Sequence, residues 1–336
     1  MPFLALPLVL VASRAGAEGA LNIYNWGDYT SPALIEKFEQ SHHVAVTITD
    51  FDSNDTALAR VKAGGHGFDM VVPSSNFIPI WIRDGLLLES RPDLMSSFAH
   101  LDPRWVDVPF DPGRRYSVPW QWGVTGVIVD TSVYAGDIDS WRVIFEPPEV
   151  LAGRINVPPE MSEVVTAAVL YLGGRPCTDD HELLRRVQSL LRAARAKWLS
   201  MDYVTPDGYA KHDFAAGMIW NGDALRARLR RADLRFGFPR EGFPIWMDNL
   251  AILKDAKNVA NARLFMNFVM EPDNAAMLSA FTHYANGIRA DQQRLPAEMA
   301  GAPELVEPDG AKGVFVGACP PEANQLMARI WAELQQ

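Results

Sequence analysis

Three short stretches join an indole to a carboxylate: Trp26 and Asp28 in NWGDY, Trp220 and Asp223 in WNGD, and Trp246 and Asp248 in WMD. An indole face attracts a cation by about 0.5–2 kcal/mol, depending on desolvation, and a carboxylate adds charge-assisted hydrogen bonds. Together they suit an organic cation. Taken singly such a pair means little, and the first also has a structural explanation, with Trp26 in the core and Asp28 capping the next helix. Paired carboxylates among aromatic faces would equally serve glycoside hydrolysis, in which two Asp or Glu flank the scissile bond. A glycosidase would also offer Asn, Gln, Arg or His to the sugar hydroxyls. Around these junctions Trp, Ser and Asp predominate, which favours an amine.

The elements that must position these groups alternate. LNIYN reads as a strand, and Ser31 with Pro32 opens a helix carrying Leu34, Ile35 and Phe38 on one face. VAVTITDF alternates apolar and polar residues as a strand does. Ser53 or Asn54 starts the helix DTALARVKAGG, which Gly64 and Gly65 stop. FDMVV is a buried strand followed by Ser74 and Ser75, and a further helix runs to Gly85. Strand, helix, strand, helix, strand predicts a parallel sheet with crossovers. YSVPWQWGVTGVIVD stays extended for about fifteen residues, long enough to pass from one domain to another. Beyond it EVVTAAVLYLGG, DDHELLRRVQSLLRAARAKW and DALRARLRR read as helices, and AAGMIW and LRFGFP as strands. A second extended stretch, FPIWMDNLAIL, precedes the helices ANARLFMNFVM and PDNAAMLSAF. Two extended connections flanking a middle segment predict two α/β lobes, with ligands expected beyond the carboxyl ends of the strands.

The 336 residues suffice for two cores, and 48% hydrophobic with 21% charged residues is an ordinary globular balance. A formal charge of −10 argues against nucleic acid, whose binding needs a basic footprint. The apolar run Phe3 to Ala12 followed by Ala15, Gly16 and Ala17 reads as a signal peptide over residues 1–17, too short to span a bilayer. Export would place a soluble mature protein in an oxidising compartment, where Cys177 and Cys319 have the option of pairing. DFDSND, Asp50 to Asp55, is the nearest approach to a calcium loop, yet it lacks the EF-hand Gly and distal Glu. No metal and no cofactor are expected. AGGHG follows a helix and has no accompanying GK[ST], so it is not a phosphate loop. The seven His read as surface residues, and Arg226, Arg228, Arg230, Arg231 and Arg235 as a solvated helix face.

In order along the chain, LNIYNWGDY, FDSND, GFDMVVPSSNF, SEVVTAAVLYLG, MIWNGDA, WMDNLAIL and HYANG resemble the periplasmic polyamine-binding proteins of bacterial ABC importers, most of all the putrescine-binding ones. The likeness runs from about Leu21 to about Asn286. It implies the two-lobed type II periplasmic binding protein fold, each lobe a mixed sheet flanked by helices and joined by two extended hinge crossovers. On this reading residues 20–122 plus 248–290 form lobe 1 and 123–247 plus 291–336 form lobe 2. The resemblance implies no enzymatic activity, a monomer in the periplasm, and as partners a polyamine, a membrane permease and its ATPase. By position it implies a ligand site of Trp26, Asp28, Ser74, Glu163, Trp220, Asp223, Trp246, Asp248 and Tyr284. Glu163 and Tyr284 enter only through the family; the residues alone read as structural. One ammonium is expected near Asp28 and Asp248, the other near Glu163 and Asp223. Gly27 departs from the Ser or Thr that the family often carries there, which leaves putrescine, spermidine, agmatine and cadaverine all open.

Overall fold

A computed structural model describes residues 19–211 and 213–335; the expected signal peptide lies outside the described residues. Among the described residues nine strands form one continuous sheet: β1 (Ala20–Trp26), β2 (Ala45–Phe51), β3 (Met70–Val71), β4 (Ser117–Asp130), β5 (Ile155–Asn156), β6 (Ala216–Trp220), β7 (Leu234–Gly237), β8 (Phe243–Ile252) and β9 (Gly313–Phe315). Their order is β2-β1-β3-β8-β4-β6-β5, with β7 on β4 and β9 on β8. β1 runs parallel to both β2 and β3, as the alternation predicts.

The two extended stretches are β4 and β8, paired antiparallel from Ser117 opposite Ala251 to Val124 opposite Ile245. Each changes partners along its length. β4 leaves β8 after Val124 and pairs with β6 from Thr125 onward; β8 begins beside β9 and ends beside β3. A helical crossover would isolate one half from the other, whereas these two long strands carry the sheet continuously from one lobe to the next. That continuity suits a bend in the strands.

Local chemistry accounts for the helices around the first strands. Ser31 Oγ accepts from the Leu34 amide at the start of Pro32–His42, and His43 closes that helix in the left-handed conformation at φ 55°. Ser53 caps Asn54–Lys62 by accepting from Thr56 N. One core gathers Leu21, Ile23, Leu34 and Phe38 with Leu250, Phe265 and Leu278; another gathers Val127, Val165, Val187 and Trp198 with Trp331. Each such side chain contributes about 1.5–3 kcal/mol on burial.

Three elements went unread in the sequence, and one pairing it left open is settled. β5 and β9 span two and three residues, too few to show a period. The helix Pro321–Leu334 closes the second core through Met327, Ile330 and Trp331. Cys177 and Cys319 form a disulfide across 142 residues, tying this helix's start to the loop after the helix Met161–Tyr171.

Two expectations are corrected. The arginines are not a solvated face: Arg231 is buried against Asp130, Arg228 grips the buried Glu304, and Arg226 pairs with Asp223; Arg230 and Arg235 alone are exposed. Burial needs these partners, because an unpaired guanidinium cannot be sequestered cheaply. Nor are all the histidines on the surface, since the His66 side chain is buried and its Nδ1 accepts from Phe68 N.

Candidate functional site

All nine residues singled out in the sequence line one cleft of about 470 Å³. They reach it from seven places in the fold. Trp26 and Asp28 end and follow β1; Ser74 lies three residues past β3; Trp246 and Asp248 stand mid-strand on β8. Trp220 ends β6, with Asp223 in the first turn of the helix Asn221–Arg230. Glu163 lies in the first turn of the helix Met161–Tyr171, and Tyr284 follows the helix Pro272–Thr282.

Trp26 is half-buried and held in orientation: its Nε1 donates to Val72 O at 3.0 Å and its ring lies 4.5 Å from that of Phe51. Asp28 is not a helix cap, a role Ser31 takes; it is exposed to the cleft in the left-handed region at φ 52°. Trp246 meets Tyr284 edge-on at 5.1 Å, and Tyr284 in turn meets Tyr29 at 5.9 Å. Tyr203 stacks on Trp220 at 6.1 Å. The aromatic groups thus form walls with their faces and edges fixed by neighbours.

Asp248 is held by a relay of hydrogen bonds. Asn54 Oδ1 accepts from the Ser74 amide and Asn54 Nδ2 donates to Ser74 Oγ, both at 3.0 Å; Ser74 Oγ then donates to Asp248 Oδ1 at 2.7 Å. Glu163 Oε2 accepts from Thr125 Oγ1 at 2.6 Å and from Trp220 Nε1 at 3.0 Å. Glu160, one turn earlier, accepts from the Tyr203 hydroxyl.

Burial dominates the titration of these acids. It pushes Glu163 up to about 8, aided by the charge of Glu160 and opposed by the Thr125 and Trp220 donors. It pushes Asp248 up to about 7 against the Ser74 hydrogen bond. Glu160 is raised by burial too, with Tyr203 opposing. Enclosed like charges disfavour ionisation, so burial and the neighbouring acids hold these carboxyls toward the protonated form.

Asp223 differs. Its carboxylate is engaged by Arg226 Nη2 at 2.5 Å, so it does not stand as the unpaired acid expected at the second end. Among the described residues no group of three or more His, Cys, Asp or Glu is arranged to hold a metal ion. Ser53 and Asn54 serve instead as a helix cap and as the relay to Asp248.

The family model for bacterial extracellular solute-binding proteins matches residues 33–305. The chain belongs to that family. This solute-binding protein is 30% identical over 299 residues to the spermidine/putrescine-binding periplasmic protein of Escherichia coli, covering 88% of this chain and 85% of that one. It is 28% identical over 370 residues to a putrescine-binding periplasmic protein of Pseudomonas aeruginosa, covering 98% and 97%. A structure described as a spermidine/putrescine ABC transporter from Listeria monocytogenes superposes with a TM-score of 0.85 at 27% identity, covering 94% of this chain and 99% of that one. The mixed α/β architecture is that of the type II periplasmic binding proteins.

Sequence reasoning passed over Glu160, Tyr203, Tyr29 and Thr125 in this solute-binding protein and assigned Arg226 to a solvated face. Glu160 was within reach, since it stands three residues before Glu163 and such spacing shares a helix face. Tyr203 sits in a loop with no periodic signal.

Proposed function

We propose that this protein captures a polyamine, a putrescine-like diamine, in the cleft between its lobes and delivers it to an ABC importer. The observation that carries this reading is the cleft itself, where indoles from both halves of the fold wall a space with seven carboxyl groups, Asp28, Asp52, Asp55, Glu160, Glu163, Asp223 and Asp248, and one cation, Arg226. One ammonium is placed among Asp248, Glu163 and Glu160. The other lies toward Asp28, with Asp223 shared with Arg226. The methylenes lie against Trp26, Trp220, Trp246 and Tyr284. Four methylenes contribute about 3 kcal/mol at ~0.8 each, so charge-assisted hydrogen bonds must supply much of the rest. The relatives' names support the same ligand class.

Lobe 1 is assigned to residues 20–122 plus 248–290 and lobe 2 to 123–247 plus 291–336, with β4 and β8 as the hinge. An ammonium entering the cleft takes the place of the protons on Glu163 and Asp248 and is shared by acids of both lobes, so ligand binding favours the closed form. The family's role is capture, so the acids bind without catalysing. The protein acts as a periplasmic monomer, exported by its N-terminal segment, and presents the amine to a permease driven by a cytoplasmic ATPase. Calorimetry of Asp248→Asn with putrescine tests the reading. Affinity should fall tenfold or more while the unliganded melting temperature stays within a few degrees of wild type; unchanged affinity would remove Asp248 from the site.

A further inference from the structure

We propose that Arg226 makes the Asp223 end of the cleft a hydrogen-bond-donating subsite, which takes the carbonyl of a mono-N-acylated diamine in place of a second ammonium. The proposal rests on the amine reading above and narrows it.

Three observations converge. The first is a division of charge. Among the described residues Glu160, Glu163 and Asp248 have no ion-pair partner, whereas at the other end the guanidinium of Arg226 is 2.5 Å from Asp223. A second ammonium there would compete with a tethered cation for one carboxylate and would be repelled by it. Asp28, which also faces Arg226, compensates for that repulsion only in part.

The second is unused donor capacity. A guanidinium carries five N–H donors; among the described residues Arg226 gives a side-chain hydrogen bond only from Nη2, to Asp223, and its side chain stays 26% exposed. An amide carbonyl oxygen entering beside Arg226 accepts from the exposed part of this guanidinium without adding positive charge.

The third is space. A side chamber of about 200 Å³ opens beyond Arg226 and Trp220, which line it as well as the main cleft. Its walls include Val204, Pro206, Met218 and Ile219, together with the carboxylates Asp28, Asp202 and Asp223. This chamber gives the methyl of an acetyl group, or a somewhat longer acyl chain, an apolar contact that a bare ammonium would not use. Trp220 joins the two regions, since its Nε1 donates to Glu163 while its ring borders the chamber. A ligand with its one ammonium against Glu163 and Asp248 therefore points its acylated end toward Arg226.

Calorimetry with putrescine and N-acetylputrescine on wild type, Arg226→Met and Arg226→Lys tests the proposal. Wild type should bind the acetylated amine within tenfold of putrescine or more tightly. R226M removes the charge and the donors, so the preference should move at least tenfold toward putrescine. R226K retains a cation and should hold the ratio nearer to that of wild type. If R226M is too unstable to assay, Arg226→Gln takes its place, with a shift in the same direction. A ratio unchanged within threefold in a folded R226M or R226Q overturns the proposal, as does a wild type that prefers putrescine a hundredfold. In either case retained putrescine binding leaves the amine reading standing; a wild type that binds neither amine sinks both.

Discussion

Binding of a diamine should release protons, and the number follows from the cleft. With Glu163 near 8 and Asp248 near 7, these carboxyls are roughly 90% and 50% protonated at pH 7 in the empty protein. An ammonium lodged against both holds them ionised, and alkyl ammoniums of Lys type, with pKa about 10.4, keep their own charge throughout. Binding then releases about 1.4 protons at pH 7, and affinity climbs with pH. Integrated from pH 6 to pH 8, the two groups give an increase approaching 500-fold, about 3–4 kcal/mol. Isothermal titration in phosphate and in Tris at pH 7 measures the proton count directly, because the two buffers absorb released protons with different heats. Glu163→Gln should lower the count to about 0.5, leaving the share of Asp248. Buffer-independent heats, or an affinity flat between pH 6 and pH 8, would refute the reasoning and with it the placement of the ammonium among these acids.

The same groups govern stability without ligand. Their folded values lie above the ordinary 4.5 and 3.8, so the stability they contribute is complete below about pH 4 and lost as pH rises through 7 and 8. Thermal melts of the unliganded protein should therefore fall by several degrees from pH 6 to pH 8, and much less in the E163Q/D248N double variant. Ser74→Ala removes the 2.7 Å donor to Asp248; a hydrogen bond to a charged group is worth about 1.5–3 kcal/mol, so putrescine affinity should drop by roughly tenfold or more at pH 7. The pH at which affinity levels off should also move upward, a shift that simple loss of packing would not produce. Reducing Cys177–Cys319 opens a loop across 142 residues, for which the chain-entropy model gives at most about 5 kcal/mol; the melting temperature in excess reductant should fall by up to roughly 7 °C, read by differential scanning calorimetry.

Much of the fold is legible along the chain because its causes are local. Ser31 and Ser53 cap helices with their own side chains, and β1, β2 and β4 carry enough residues for strand patterning to show. The Trp–Asp pairs were visible for the same reason, as each follows or occupies an extended run. β5 and β9 were not, since two or three residues become a strand only by joining an existing edge.

The acidic, indole-rich character of the site, and its distribution over strand ends in both halves, were determined by the sequence alone. The fold decided which acids stand without a cation. Arg226 and Arg228 sit two residues apart on one helix, yet one turns to Asp223 in the cleft and the other to the buried Glu304, 76 residues away. Glu163 likewise becomes a buried, proton-holding acid because folding takes it out of water beside Glu160, while Trp220 and Thr125 donate to it from β6 and β4. Residue type sets a side chain's charge, but its partner and its exposure to water depend on which distant segments pack against it, and those are chosen by the packing of the whole chain.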